Sequence, residues 1–307
     1  MASSRPQPSY TKVTHNATYP AINPRLPALQ TAGKVVLITG ASGGIGRAAA
    51  ASFAVSKPKA LILLGRRTDE LAKTADLARA ADSVADDLPV ETHAVDLLDA
   101  AATRNVLNTV VDRTGAIDVF VHCAGSLAPV QPLIEADPMT FLKGYETTVV
   151  GTLVAAQAVL LANRREKDSQ QVPTSNGAQA EQQQREQGGE ARDEQPITFI
   201  NLTTAGILFP PFRGMGAYVS SKMAAVKLLQ ALAAENPHVL LLHVHPGFLR
   251  TAMSAQLAKT TKLPFDYDDS MSWLSMLFFS SPFICLVKLD FANRWPTAWQ
   301  SLSLLTS

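Results

Sequence analysis

The chain has 307 residues, 47% of them hydrophobic, and a formal net charge of +1. That length and apolar content suit one large α/β domain or two small ones. The near-neutral balance gives no electrostatic case for nucleic acid or for an anionic membrane surface.

Residues 1–33 are rich in Pro, Ser and Thr, with Pro6, Pro8, Pro20, Pro24 and Pro27. They are expected to form an extended arm laid over the domain. The opening MASSRPQPSY has no apolar h-region, which argues against a secretory signal, and Asn16-Ala17-Thr18 is then a chance match to the glycosylation pattern. The two cysteines, Cys123 and Cys285, form no metal-type pair and fit a reducing compartment, here the cytoplasm.

The organising stretch is 34–46, KVVLITGASGGIG. An apolar run ending at Thr39 is followed by Gly40, Gly43, Gly44 and Gly46 and then by the helix-forming run 47–53. Strand, glycine turn and helix start make the first half of a βαβ unit. The glycines permit a tight turn and leave no Cβ between the backbone and an incoming pyrophosphate. The helix that follows aims its free N–H groups at the same place.

Further strands are expected at 60–64, 89–95, 117–122, 197–202 and 239–245. Helices are expected at 44–55, 69–81, 101–113, 139–163 and 216–235. Strands that are continuously apolar and alternate with helices predict a parallel sheet covered on both faces. Residues 164–195 are almost devoid of large apolar side chains and read as a disordered surface insertion. Residues 271–289 are strongly apolar, but Ser-Ser-Pro interrupts the run and it falls short of a span. A substrate-pocket lid over about 252–285, then a last strand, fits better than a membrane anchor.

Several residues could carry chemistry. Tyr218 and Lys222 are spaced i,i+4 at the start of a helix and share one face. A free phenol ionises near pH 10, too high for efficient proton transfer, and a nearby ammonium should lower it. Thr203 and Thr204 end the fifth strand, where a hydroxyl could hold a carbonyl or alkoxide oxygen. Arg66 and Arg67 end the second strand, where a dinucleotide's adenosine ribose sits. They offer a guanidinium for a 2′-phosphate and no carboxylate for a 2′-hydroxyl. His243 and His245 share a strand face with no third ligand in view, so no metal site is expected. Nothing around Cys123 in the sequence points to a lowered thiol pKa.

With these residues in place the chain resembles the short-chain dehydrogenase/reductase family from about residue 34 to 251. Thr39–Gly46 matches the TGxxxGxG cofactor loop and Asp96-Leu97 the Asp that holds adenine. Tyr218 to Lys222 matches YxxxK, and residues 246–251 match PGxxxT beside the nicotinamide. The arm THNATYPAI and the late segment SSPFICLVKLDFANRW resemble a filamentous-fungal branch, many of whose members act in secondary metabolism.

The resemblance implies a doubly wound (Rossmann) α/β fold with a parallel sheet of about seven strands and helices on both faces. It implies an NADP-dependent oxidoreductase, NAD being second choice, that interconverts a carbonyl and a secondary alcohol. Tyr218 would be the proton donor or acceptor. Lys222 would lower its pKa and bind the nicotinamide ribose, and Thr204 would stand for the usual Ser. Gly40, Ser42, Ile45 and Gly46 would contact the phosphates, Arg66 a 2′-phosphate, Asp96 the adenine, and Leu249 and Thr251 the nicotinamide. Cys123 would also lie against the cofactor.

The chain departs from the pattern at three places. NNAG reads His122-Cys123-Ala124-Gly125, the Asn of the catalytic tetrad is Thr148, and Thr204 replaces Ser. They keep open a rival reading, a catalytically weakened NADP-binding regulatory protein or decayed paralogue. The substrate is expected to be a small-molecule carbonyl or alcohol, of a bulky apolar or aromatic kind. The pocket should be lined from 205–215 and 252–285, including Phe209, Phe212, Trp273 and Phe278. Self-association is left open.

Overall fold

The computed structural model of the protein describes Pro20 and residues 23–81, 87–170, 195–208, 213–247 and 249–261. The apolar runs form six parallel strands: β1 (Val35–Thr39), β2 (Ala60–Gly65), β3 (Val90–Ala94), β4 (Val119–His122), β5 (Ile197–Leu202) and β6 (Val239–Val244). They lie in the order β3-β2-β1-β4-β5-β6. The chain winds one way from β1 to β3, then returns to lay β4 on the other side of β1. The C-terminal ends of β1 and β4 are thus the switch point at which such sheets open a crevice. The fold is the expected doubly wound one, with six strands among the described residues rather than about seven. The last strand, expected within 271–289, falls outside those residues.

Register explains why the strands are apolar on both faces. Leu37, Phe120 and Phe199 sit side by side across β1, β4 and β5 and point to one face, as do Ile62 and Leu241. That face is covered by α3 (Ala100–Thr114), α5 (Gly151–Gln170) and α6 (Gly216–Glu235). Phe120 and Phe199 meet edge to face at 4.9 Å, a pairing that adds roughly 0.5–1.5 kcal/mol to their burial. Val36, Ile38, Leu61, Leu63 and Val121 point to the other face, under α1 (Gly44–Val55) and α2 (Thr68–Arg79). Ala49, Ala50 and Ala54 give α1 a flat face that lets it lie close to the sheet.

Side-chain caps start α3, where Asp99 accepts from Ala102 N (2.9 Å), and α4 (Pro138–Tyr145), where Asp137 accepts from Thr140 N (2.7 Å). The end of the arm is tied down where Thr31 N donates to Ser56 O (2.8 Å) and the two hydroxyls share a hydrogen bond (2.7 Å). Earlier arm residues are, with few exceptions, outside the described set.

Two segments differ from expectation. The single helix expected over 139–163 is α4, a π-helical turn at Glu146–Val150, and α5. Thr147, Thr148, Val149 and Val150 are consecutive β-branched residues, poor at holding a regular α-helical turn. Residues 164–170, expected to belong to a disordered insertion, are instead the last residues of α5, which runs on to Gln170. Arg164 donates to Asn236 Oδ1 (2.7 Å), and Arg165 pairs with Asp112 and donates to Asn108 O (3.3 Å). These contacts hold the polar extension against its neighbours. Residues 171–194 lie outside the described set. The stretch Pro138–Glu166 has the length and mean hydropathy (1.4) of a membrane span, but half of its most apolar window is buried within the fold.

Candidate cofactor and catalytic site

At the end of β1 the chain turns with Gly40 at φ +66°, a conformation that side chains resist. A Cβ there would stand 2.7 Å from Ala124 N, so the loop is pressed against the head of β4. At Gly46 a Cβ would meet Gly40 O at 2.4 Å, so only glycine lets α1 close onto its own loop. No side chain caps α1 at Gly43. Its first-turn N–H groups and the positive end of its dipole are therefore available to an anion at the switch point. The geometry fits a pyrophosphate.

The rest of the loop is fixed from behind. Thr74 donates to Ala41 O (2.8 Å), and Arg47, paired with Glu70, donates to Ser42 O (3.2 Å). Arg67 reaches the same carbonyl from the end of β2 (2.9 Å). A Cβ on Gly65 would come within 3.1 Å of Ser42, so the second strand's end and the loop are in contact. Arg66 and Arg67 are both exposed at that edge, and it is Arg67 that touches the loop. Ile45 packs on the α1-side core. Asp96, at the head of β3, is exposed and accepts from Leu98 N (3.0 Å) in a local turn.

Across the crevice, Leu249 is buried in the core, and its carbonyl accepts from Ser254 Oγ (2.6 Å). Thr251 and Ser254 cap α7 (Ala252–Thr261) reciprocally: Ser254 N donates to Thr251 Oγ1 (3.0 Å) and Thr251 N to Ser254 Oγ (2.8 Å). The Thr251 methyl is 3.6 Å from where a Cβ on Gly44 would stand. The loop after β6 therefore meets the glycine loop. Phe248, Phe209, Phe212, Trp273 and Phe278 are outside the described residues.

Lys222 is the charged group of the site. It is buried at 8% exposure, and its ammonium donates to Leu202 O at the end of β5 (2.9 Å). A Cβ on Gly125 would lie 3.2 Å from Nζ, so the ammonium stands at the heads of β4 and β5 together. Burial brings its pKa down to about 8. Cys123 itself is pushed up to about 12 by burial, even with the ammonium nearby, and its thiol stays protonated.

Tyr218 does not follow the expectation of a lowered pKa. Burial raises it to about 12, and Lys222, turned toward Leu202 and Gly125, does not offset that. Thr204 lies at the same edge, its Oγ1 accepting from Gly206 N (3.2 Å) to start a short 3-10 turn, and Thr203 Oγ1 is buried with no partner among the described residues.

Four polar residues missed as a group lie in register one level below the crevice: Thr39, His122, Asn201 and His243. All four are buried. Thr39 Oγ1 bonds His122 Nδ1 (2.9 Å) and Asn201 Nδ2 donates to His243 Nδ1 (3.1 Å). The signal in the sequence was a polar residue at the same place near the C-terminal end of four strands. No group of three or more metal-ligating side chains occurs among the described residues.

A glycine loop at the switch point of a doubly wound sheet, with the buried Lys222 ammonium at the heads of the neighbouring strands, is the setting in which such folds bind dinucleotides. The model of the short chain dehydrogenase family matches residues 34–179. The short chain dehydrogenase pigC of Monascus ruber is 30% identical over 244 residues, covering 77% of this chain and 69% of the relative. The short chain dehydrogenase mpl6 of Monascus purpureus is 29% identical over 252 residues, covering 81% and 75%. Among solved structures, a variant of actinorhodin polyketide ketoreductase with NADPH superposes with a TM-score of 0.58 at 22% identity, over 74% of this chain and 75% of that one. The chain belongs to the short-chain dehydrogenase/reductase family.

Proposed function

We propose that the protein is an NADP-dependent reductase of a carbonyl group, working through Tyr218, Lys222 and Thr204. One observation supports the reading: the glycine loop is pressed against the head of β4 at Ala124, and the Lys222 ammonium stands at the heads of β4 and β5, beside Gly125 and Leu202 O. The cofactor, when bound, supplies or accepts the hydride. Gly40, Ser42, Ile45 and Gly46 would seat its phosphates, with Asp96 at the adenine and Cys123, Leu249 and Thr251 along the nicotinamide half. Arg66, exposed beside the loop-bound Arg67, would meet a 2′-phosphate with a planar guanidinium, which favours NADP over NAD. Lys222 would hold ribose hydroxyls with its ammonium.

Thr204 would donate its hydroxyl hydrogen to the reacting oxygen while its lone pair stays with Gly206 N. Tyr218, kept protonated by burial at neutral pH, suits the role of proton donor to that oxygen, which supports the reductive direction. The likeness of THNATYPAI and SSPFICLVKLDFANRW to a filamentous-fungal branch supports a place in fungal secondary metabolism, and a free Cys123 fits the cytoplasm.

A second reading, a dinucleotide-binding protein with weakened catalysis, draws on Thr148. It stands where the family has Asn, and its Oγ1 is buried with no partner among the described residues. The test is to titrate purified protein with NADPH and with NADH, then to follow NADPH absorbance across a panel of aliphatic and aromatic ketones. Oxidation of NADPH by at least one ketone, with NADPH preferred, is the expected result. Tight binding without turnover supports the second reading, and binding of neither cofactor overturns both.

A further inference from the structure

His122 stands where the family pattern has an amide, and its imidazole spans two elements. Nδ1 lies 2.9 Å from Thr39 Oγ1, the last residue of β1, and Nε2 lies 2.9 Å from Thr152 Oγ1 on α5. Thr152 Oγ1 also lies 2.5 Å from the Thr148 carbonyl in the π-helical turn. The protons can be assigned from this chain. A carbonyl only accepts, so the Thr152 hydroxyl gives its hydrogen to Thr148 O. It must then accept from His122, which puts the imidazole hydrogen on Nε2. Nδ1 is left as an acceptor and takes the Thr39 hydroxyl hydrogen. Every polar atom in the line Thr39, His122, Thr152 and Thr148 O is satisfied, and both threonines and the histidine are nearly inaccessible to water.

The line ends at the glycine loop. Thr39 is followed by Gly40, whose Cα is pressed against the Cys123–Ala124 backbone next to His122. Cys123 N donates to Thr39 O (3.2 Å), so main chain and side chain clamp the same residue from the same strand. Lys222 is the charged group near the ring, and burial with that cation keeps the imidazole neutral, down to about pH 3.

We propose that His122, as the neutral Nε2–H tautomer, is a positioning residue. It ties the start of the cofactor loop to α5 and the π-helical turn, and so sets NADPH affinity without touching the cofactor. The inference rests on reading the loop as the NADP seat, and its test has one arm independent of that reading.

Thr152→Val removes the acceptor for Nε2–H at nearly constant volume, and Thr152→Ser keeps it. In the protein alone, hydrogen–deuterium exchange over residues 39–46 should rise about tenfold in Thr152→Val relative to a control peptide over Val90–Ala94, and return to the original rate in Thr152→Ser. The Kd for NADPH should rise by a similar factor in Thr152→Val only, with kcat at saturating NADPH little changed. His122→Leu should repeat the Thr152→Val pattern more strongly. Exchange over 39–46 that is unchanged in Thr152→Val, or that rises equally in the control peptide, overturns the proposal. If exchange responds as expected but the original protein binds no NADPH, the positioning stands and the cofactor reading fails.

Discussion

Replacing Lys222 by Met should make the cofactor-free protein more stable. The ammonium is buried at 8% exposure and donates to Leu202 O, with no carboxylate among its partners in the described site. Its pKa is about 8 in the fold against an ordinary 10.5. A base whose folded pKa is depressed binds fewer protons when native, so the penalty is full below about pH 8 and disappears as pH rises through 10.5. That interval corresponds to about 3 kcal/mol.

Met fills similar space without the charge but leaves Leu202 O without this donor, at a cost of ~1–2 kcal/mol. The net gain is ~1–2 kcal/mol, a rise in Tm of about 3–6 °C at pH 7. Thermal melts of both proteins without cofactor, run from pH 7 to 10.5, check this. The advantage of Lys222→Met should shrink steadily across that range and end near zero or reversed. Comparing the two proteins removes the titration of Tyr218, which both retain, and losing the ammonium only raises the Cys123 pKa further. A Lys222→Met protein that melts lower than the original at pH 7, or a difference independent of pH, refutes the reasoning. Such a gain at a site residue would show stability given up for function.

Two further outcomes follow from the crevice. Gly46→Ala places a methyl 2.4 Å from Gly40 O, a backbone atom that cannot yield without moving the loop; stability should fall by at least ~2 kcal/mol in urea denaturation, with NADPH binding lost. Arg66→Ala should raise the KM for NADPH about tenfold or more and leave that for NADH nearly unchanged, whereas Arg67→Ala, which leaves Ser42 O with Arg47 as its one remaining donor among the described residues, should weaken both.

Much of the fold was legible because each apolar run was bounded by turn residues. β5 at Ile197–Leu202, α1 at Gly44–Val55 and α6 at Gly216–Glu235 fall where the pattern predicts. The extension of α5 to Gln170 was not legible, since it depends on Asp112, Asn108 and Asn236, partners remote in sequence. The π-helical turn was also hidden, because hydrophobic periodicity does not report one extra residue in a turn.

At the site, the glycine loop could be read locally, for strand, turn and helix are contiguous. The row Thr39, His122, Asn201 and His243 could not, because strand register makes those residues neighbours. The raised Tyr218 pKa of the cofactor-free protein was hidden for a related reason. Spacing places Lys222 on the same helical face, but burial and the direction of the ammonium decide the shift, and both belong to the packed structure.

The central claim is tested most directly by Tyr218→Phe, assayed with NADPH and a ketone that the original protein reduces. The kcat should fall at least ~100-fold with the NADPH Kd unchanged, since the phenol hydrogen is the proton delivered and the ring still fills its place. Turnover at the original rate would contradict it.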